Sequence, residues 1–298
     1  MKISLLGLTG SGKTCYLYTA AHVLAKGVNV NGHIISANAT NRQQAIRLNR
    51  GIETMAEGYW PDGSLTTMTY PFELKIDGQR LFPFTIYDYR GSMLDGLTDV
   101  DQEETEEIFS TFEESSCVVI LIDGNTILEA LEPDKLSLEH RKNISLADQL
   151  KARNKINYVE VLIDECFKRM GNNVPVLLVI TKRDLFYPEE LNAGKDLLKQ
   201  LLPSLFSQRN DMIAGITTVT LGVDLQNDGN RLTGTLCLNT SGNIHLPILF
   251  ALFQNLEEID TIDTTEISRL IKQLFSTSVD LSGKVISFYR GGKEAVIL

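Results

Sequence analysis

The pattern of hydrophobic and polar positions along the chain predicts strands that alternate with helices. Short apolar runs rich in Val, Ile and Leu predict buried strands at 3–6, 117–123, 174–180 and 216–221. Stretches with apolar residues on one face predict helices at 13–25, 42–56, 101–112, 137–170, 193–207 and 245–256. The pattern at 137–170 can hold two helices, because Asn154 and Asn157 weaken its middle. This alternation favours a parallel sheet between two layers of helices.

A long connection follows the first helix. It covers 29–65 and contains the helical stretch 42–56, in which Ile46, Ile52 and Met55 are the candidate buried positions. A connection of this length is an insertion rather than a simple loop, because most connections in compact domains are only about 4–6 residues long.

Two pairs of segments have the pattern of hairpins. Segments 68–76 and 81–87 flank Asp77-Gly78, and segments 285–290 and 293–298 flank Gly291-Gly292. Both dipeptides are typical of two-residue turns, which need residues that adopt a positive φ. We therefore predict antiparallel pairing within each pair of segments.

These elements predict one main domain with an extension. The main α/β domain is expected over 1–257, with insertions at about 29–65 and 223–243. The extension, 258–298, is expected to be an appendage made of a helix at 264–275 and the second hairpin. No internal repeat and no long Pro, Gly or Ser linker divides the chain.

Charge and cysteine content narrow the function classes. The chain has 28 Lys and Arg against 38 Asp and Glu, a formal net charge of −10. Nucleic acids and anionic membranes bind basic faces, so we expect neither as a partner. Four scattered cysteines and four histidines without paired spacing predict no zinc site, and reduced thiols in the cytoplasm. No apolar run approaches the roughly 20 residues of a membrane span, so none is expected.

The first candidate site is the loop at 7–14, GLTGSGKT, which fits G-x-x-x-x-G-K-[ST] between a strand and a helix. Glycines suit a phosphate-binding loop, because a Cβ would block close approach of the main-chain N–H groups to phosphate. The helix N-terminus adds partial positive charge. Lys13 supplies a full charge for the β- and γ-phosphates, and the Thr14 hydroxyl can bind Mg²⁺. The loop residues predicted to bind are Gly7, Thr9, Gly10, Ser11, Gly12, Lys13, Thr14 and Cys15.

The second candidate site is DYRG at 88–91, directly after the strand 81–87. Asp88 would lie at the carboxyl edge of the sheet, beside the glycine loop, where it can hold Mg²⁺ through water. Gly91 can donate its N–H to a γ-phosphate and lose that contact when the phosphate leaves. Arg90 is a candidate source of positive charge in catalysis, and pairing with a surface carboxylate is the alternative.

The third candidate site is TKRD at 181–184, directly after the strand 174–180. The Asp184 carboxylate can accept hydrogen bonds from both N1–H and N2–H of guanine, and adenine has no such pair of donors. Charge-assisted bidentate bonds are strong, so this position can select the base. The stem of Lys182 can pack over the base, and Thr181 completes the motif.

The three ordered motifs resemble those of the Ras-like, translation-factor-related (TRAFAC) class of P-loop GTPases. The resemblance implies a three-layer α/β fold with a mostly parallel sheet, here with insertions and a C-terminal helix-hairpin extension. It also implies GTP and GDP as ligands, Mg²⁺ as cofactor, hydrolysis of GTP to GDP and phosphate, and a protein effector or activator. The long connection, the acidic helix predicted after DxxG and the segment 244–251, IHLPILFA, resemble those of bacterial GTPases that accompany conflict and defence systems.

The resemblance also assigns further positions by location. Its base-side loop falls at 220–222, with Leu221 as the candidate contact, although the usual Ser-Ala-Lys letters are absent. A Thr that binds Mg²⁺ and the γ-phosphate is expected just before the second strand. Thr66 is the candidate and Thr67 the next choice, and ordinary strand threonines are the alternative. Tyr59 and Trp60, which lie nearby, are predicted to anchor the loop, and contact with a partner is the alternative.

One position departs from the family pattern. The residue after DxxG, where these GTPases have a Gln that orients the attacking water, is Ser92. Serine is too short both to accept from water and to donate to phosphate, so slow hydrolysis is expected without a partner. A scaffold that does not hydrolyse nucleotide, and a P-loop kinase or ATPase, remain open as alternatives.

Overall fold

The structure is a computed structural model, and it describes most of the chain. The described residues are 1–30, 32–63, 66–89, 113–141, 144–170, 174–207, 213–256, 265, 267, 269–270, 286–290 and 293–295.

Twelve strands form two sheets within the described residues. They are β1 (Lys2–Gly7), β2 (Val28–Val30), β3 (His33–Ala39), β4 (Met68–Ile76), β5 (Gln79–Asp88), β6 (Cys117–Ile122), β7 (Val176–Ile180), β8 (Ile213–Thr218), β9 (Gly222–Asp228), β10 (Arg231–Leu236), β11 (Ile286–Arg290) and β12 (Lys293–Ala295). Ten of them form the main sheet, in the order β12-β11-β8-β7-β6-β1-β5-β4-β3-β2, and β9 pairs with β10 apart from it.

Eight α-helices lie in the same described part of the chain. They are α1 (Lys13–Lys26), α2 (Arg42–Ala56), α3 (Gly124–Ala130), α4 (Leu138–Arg141), α5 (Leu146–Met170), α6 (Pro188–Leu201), α7 (Pro203–Phe206) and α8 (Leu246–Phe253). None of these described helices is long and apolar enough to cross a membrane.

The centre of the main sheet is parallel. Strands β5, β1, β6, β7 and β8 pair in parallel, and antiparallel strands extend both sides of this centre. Every residue of β6 and β7 is buried, as their continuous Val, Ile and Leu runs predict. Parallel pairing brings the carboxyl ends of these strands to one edge, where ligands of open α/β sheets bind.

Helices cover both faces of the sheet. One core contains side chains of α1 and α8, such as Leu17 and Leu249, packed with Ile3 and Val119 of the sheet. A second core, on the opposite face, contains side chains of α3, α5 and α6. Alternate residues of β1 and β6 enter the two cores, because successive side chains of a strand point to opposite faces. The predicted three-layer α/β fold is therefore confirmed.

Several predicted elements are confirmed in detail. The turn between β4 and β5 has positive φ at both Asp77 and Gly78, as a two-residue hairpin turn of this type requires. In α2, Ile52 and Met55 are buried, but Ile46 is 43% exposed, so its predicted burial was wrong. The pattern at 137–170 does form two helices, α4 and α5, but α5 continues through Asn154 and Asn157. The break lies before Leu146 instead.

Other bounds differ from those predicted. The helix expected at 193–207 begins earlier, with Pro188 in its first turn, and is followed by the separate short helix α7. Strand β8 begins at Ile213 and ends at Thr218, rather than at 216–221. The helix predicted at 101–112 lies outside the described residues, and so does most of that predicted at 264–275.

The predicted insertions contain strands that the pattern did not predict. The connection 29–65 contains β3 and the last residues of β2, and these two strands pair with each other. Strand β3 extends the sheet from β4. The region 223–243 includes most of the β9–β10 hairpin. The predicted C-terminal hairpin is β11–β12, and it continues the main sheet because β11 pairs with β8, Ile286 opposite Thr217.

Candidate functional site

The glycine loop connects the end of β1 to the start of α1 by a tight turn. The Ser11 N–H donates to the Leu8 carbonyl oxygen at 3.1 Å. Gly10 and Gly12 have φ of 85° and 81°, which L side chains rarely adopt. The helix begins immediately after Gly12 and has no acidic residue in its first turn, so nothing in that turn offsets its partial positive charge. The loop therefore has the backbone form of an anion site.

Glycine is required at position 7 for a different structural reason from the one predicted. A Cβ at this position would lie 2.5 Å from Ser11 Oγ and 3.1 Å from the Leu121 carbonyl oxygen. Glycine here lets the loop fold back onto the end of β1 and against β6. Gly7 is therefore needed for packing of the loop, and it is not among the residues that line the cleft described below.

Lys13 and Asp88 form a buried ion pair between the loop and the end of β5. The Lys13 side chain is 6% exposed and that of Asp88 is 1% exposed. Cys15, in the same first turn of α1, is buried, and burial raises the pKa of its thiol to about 11. The thiol is thus protonated near neutral pH, which agrees with a packing role rather than that of a nucleophile.

The TKRD segment is held directly against the glycine loop. The Thr181 hydroxyl donates to the Ser11 carbonyl oxygen at 3.1 Å and lies 3.3 Å from the carbonyl oxygen of Ile122. Thr181 is 1% exposed, so this contact is shielded from water. It fixes the third motif relative to the first.

Lys182 lies at the edge of the site in a left-handed conformation, with φ of 54°. Its Nζ is 2.9 Å from Oδ1 of Asp123, the residue that caps the N-terminus of α3. Gly124 permits this approach, because a Cβ there would lie 2.4 Å from the Thr181 carbonyl oxygen. The ion pair holds the Lys182 side chain across the ends of β6 and β7.

Asp184 is exposed, and a neighbouring hydroxyl orients its carboxylate. The Thr220 Oγ1 lies 2.5 Å from Asp184 Oδ1 and 2.6 Å from the Gly222 carbonyl oxygen. Thr220 is itself 4% exposed, and its N–H donates to the Gly242 carbonyl oxygen. The predicted base-reading carboxylate is therefore held by the loop that follows β8.

These segments surround one cleft of about 900 Å³, a volume that suits a nucleotide. Its lining residues are Leu8, Thr9, Gly10, Ser11, Gly12, Lys13, Thr14, Cys15, Trp60, Pro61, Asp62, Gly63, Asn125, Thr181, Lys182, Asp184, Leu185, Leu221 and Leu225. The structure thus brings most of the predicted phosphate-loop and base-side residues together, including Leu221.

The remaining predicted site residues lie elsewhere. Thr66 and Thr67 are exposed and do not line the cleft, and the Thr66 hydroxyl lies 3.6 Å from the sulfur of Met68. Arg90 and Gly91 lie outside the described residues, as does Ser92.

Sequence reasoning missed several residues of the site. Trp60 was predicted as an anchor, and its side chain does pack against the core, but it also lines the cleft. Leu225 lines the cleft from the unpredicted hairpin. Asn125 lies in the first turn of α3, whose N-cap Asp123 directly follows the buried strand β6. Its place just after the carboxyl end of a parallel strand is the sequence signal for this residue.

The oxygen donors present suit Mg²⁺. Asp88 supplies a carboxylate at the carboxyl edge of the sheet, and Thr14 supplies a hydroxyl in the first turn of α1. The described residues contain no cluster of three or more His, Cys, Asp or Glu that could hold a metal ion. Mg²⁺ is commonly held by one or two carboxylates, with water and phosphate completing its coordination, so the donor set fits.

No family model matches the chain, and no curated protein sequence matches it. Among solved structures, the signal recognition particle receptor SRb-GTP/SRX complex from Chaetomium thermophilum is 14% identical, over 76% of this chain and 92% of that chain, with a TM-score of 0.41. Elongation factor SelB from Methanococcus maripaludis, in complex with the GTP analogue GPPNHP, is 14% identical over 74% of this chain and 29% of that chain (TM-score 0.33). Sup35 complexed with GDP is 12% identical over 74% of this chain and 36% of that chain, with a TM-score of 0.31.

Proposed function

We propose that this chain is a GTP-binding switch that hydrolyses GTP slowly, depends on Mg²⁺ and acts on a protein partner. The observation that carries the proposal is the hydrogen bond from Thr181 to the carbonyl of Ser11. This bond supports the proposal because it holds the segment 181–184 against the loop at 7–14, so that one nucleotide could contact both. Asp184 then selects guanine by accepting from its two N–H donors.

The residues of the loop supply binding and charge. The main-chain N–H groups at the start of α1 and the Lys13 ammonium would contact the phosphates, which offsets negative charge as it develops on the transferred group. Thr14 and Asp88 would hold Mg²⁺, which neutralises phosphate charge when bound. The Lys13–Asp88 contact must then give way to contacts with the ligand.

Slow hydrolysis follows from the position after DxxG. We propose Thr66 as a further ligand of Mg²⁺ and the γ-phosphate, and Gly91 and Arg90 as contacts of the transferred group. With Ser92 in place of a glutamine, water is poorly oriented, so a partner would be needed for fast turnover. Loss of the γ-phosphate would release the segments around Thr66 and Gly91, which would give the partner two surfaces to distinguish. We propose the cytoplasm as the location, because the four cysteines form no disulfide.

The test is mass spectrometry of the nucleotide released from freshly purified protein, followed by titration with GTP and ATP and a hydrolysis time course with Mg²⁺. Copurified GDP or GTP, preference for GTP over ATP, and slow release of phosphate would support the proposal. Bound guanine nucleotide without any hydrolysis would indicate the scaffold alternative. Equal or tighter binding of ATP would refute the assignment of Asp184 and favour a P-loop ATPase or kinase.

A further inference from the structure

A hairpin on one side of the cleft pairs with a segment on the other. We call the β9–β10 hairpin the strap, and residues 58–63 the rim segment. The Leu232 N–H of the strap donates to the Gly58 carbonyl oxygen at 2.8 Å. The Trp60 N–H donates to the Asn230 carbonyl oxygen at 3.0 Å. These two backbone bonds join segments that are far apart in the sequence.

The geometry of this pairing is that of a short antiparallel ladder. Tyr59 and Arg231 face each other as a bridge, and the two hydrogen bonds flank them. They are therefore a non-hydrogen-bonded pair, the kind in which opposing side chains are closest. Gly58 has φ of 84°, and a Cβ there would lie 3.3 Å from the Leu232 carbonyl oxygen. The rim segment thus uses glycine where the strap approaches.

Both segments are also fixed by packing. Leu232 is 7% exposed and belongs to the core on the α1 side of the sheet. Trp60 and Leu225 are partly buried against the same core. Burial of apolar side chains from both segments makes their pairing part of the folded domain rather than a chance contact of loops.

The paired segments line the nucleotide cleft from two sides. Trp60 and the next three residues line it from the rim, and Leu225 lines it from the strap. The strap also begins at the base-side loop, because Thr220 contacts both Asp184 and the carbonyl of Gly222, the first residue of β9. The strap is therefore joined directly to the loop whose Thr220 orients the base-reading Asp184 carboxylate.

We propose that the strap is the closing element of the nucleotide site. Its pairing with the rim segment encloses the bound guanine nucleotide, and the nucleotide leaves only when this pairing opens. The strap thereby sets the residence time of GDP and GTP. This inference rests on the proposed function, since it concerns release of the same ligand.

A reversible disulfide across the bridge tests the inference. Tyr59→Cys and Arg231→Cys replace two exposed residues that do not line the cleft, and a non-hydrogen-bonded pair has a Cα separation of about 4.5 Å, within the range of a disulfide. Cys237→Ser removes the one native cysteine that is not buried. Release of a fluorescent GDP analogue is timed after a chase with excess GDP, with the double variant oxidised and then reduced. Each single variant is the control.

Oxidation should slow release by roughly tenfold or more, because the disulfide prevents the two backbone bonds from opening, and reduction should restore the original rate. Equal release rates in the two redox states would overturn the proposed role of the strap in nucleotide release and would leave the proposed function intact. Failure of the disulfide to form under mild oxidation would contradict the pairing itself. Absence of guanine-nucleotide binding in every variant and in the unmodified protein would overturn the proposed function, and the strap with it.

Discussion

Lys13 and Asp88 form a buried ion pair although 75 positions separate them in the chain. The pair joins the first turn of α1 to the end of β5, the two places where the phosphate and the metal ion are proposed to bind. Each charge therefore has an opposite charge beside it inside the protein. Ligand binding must exchange this contact for others.

Removal of the cation should destabilise the nucleotide-free protein. In Lys13→Ala, the buried Asp88 carboxylate loses this partner, and breaking such a pair typically costs about 3 kcal/mol in the free energy of unfolding. Urea denaturation without nucleotide measures the change. Adding Asp88→Asn should recover part of the loss, because the buried negative charge is then removed. A single variant as stable as the unmodified protein would contradict the buried pairing.

The same change should also abolish tight triphosphate binding. Lys13→Ala removes a charge-assisted contact, so the affinity for GTP measured by calorimetry should fall by at least about tenfold. Lys26→Ala, at the exposed end of the same helix, is the matched control and should bind normally. A loss of less than about threefold in Lys13→Ala would show that the loop is not the phosphate site.

Asp184→Asn should change the preferred base from guanine to xanthine. The amide can donate where xanthine offers a carbonyl, whereas it cannot accept from both N–H groups of guanine as a carboxylate does. Competition between GTP and xanthosine triphosphate measures the change. Unchanged GTP affinity in this variant would refute the base assignment.

Thr220→Val should weaken GTP binding while leaving the fold intact. The variant keeps the shape of a buried side chain but removes the hydroxyl that contacts Asp184 Oδ1, so the carboxylate loses its orientation. The loss of one hydrogen bond, typically worth about 1 kcal/mol, predicts a decrease in GTP affinity of about fivefold. Thr233→Val, on the exposed part of β10, is the control. If both variants bind GTP equally well, Thr220 does not position Asp184.

His245, just before α8, should make the protein less stable in acid. It is 1% exposed, neither ring nitrogen has a hydrogen-bond partner among the described residues, and burial lowers its pKa from 6.5 to about 4. Between these values the unfolded chain binds a proton that the folded one does not. Stability should therefore fall as the pH drops from about 6.5 to about 4, by about 3 kcal/mol from this residue.

His245→Leu separates this contribution from that of other groups. The variant keeps an uncharged buried side chain, so the free energy of unfolding should depend less on pH over that interval. Denaturant titrations of both proteins at several pH values measure the difference. Parallel pH profiles would show that His245 is not buried in its neutral form.

Much of the fold could be predicted because hydrophobic period and turn chemistry agreed. The runs at β6 and β7 admit few interpretations, and Asp77-Gly78 adopts the two positive φ angles that its composition predicts. The strands β2 and β3 were not predicted, because β2 has only three residues and the only large apolar side chains of β3 are the adjacent Ile34 and Ile35, which do not alternate with polar residues. Their pairing depends on β4, a long-range contact that local patterns do not contain.

The residues of the site also fall into two groups, those that a local motif predicts and those whose roles depend on contacts in space. Residues 7–14 and 181–184 were predicted because contiguous letters carry their chemistry, and the structure places all of them except Gly7 and Arg183 at one cleft. Thr220 and Leu225 were harder to predict, since their roles depend on distance in space. A signal for the strap was nevertheless present, because Gly229-Asn230 is a turn dipeptide between segments of mixed polarity.

The pairing of β11 with β8 has a consequence for the order in which the molecule matures. Strand β8 leads into Thr220, yet one of its two neighbours is made from residues 286–290. The elements around the glycine loop leave the ribosome much earlier. The edge of β8, which precedes Thr220, therefore lacks this neighbouring strand until residues 286–290 have been synthesised.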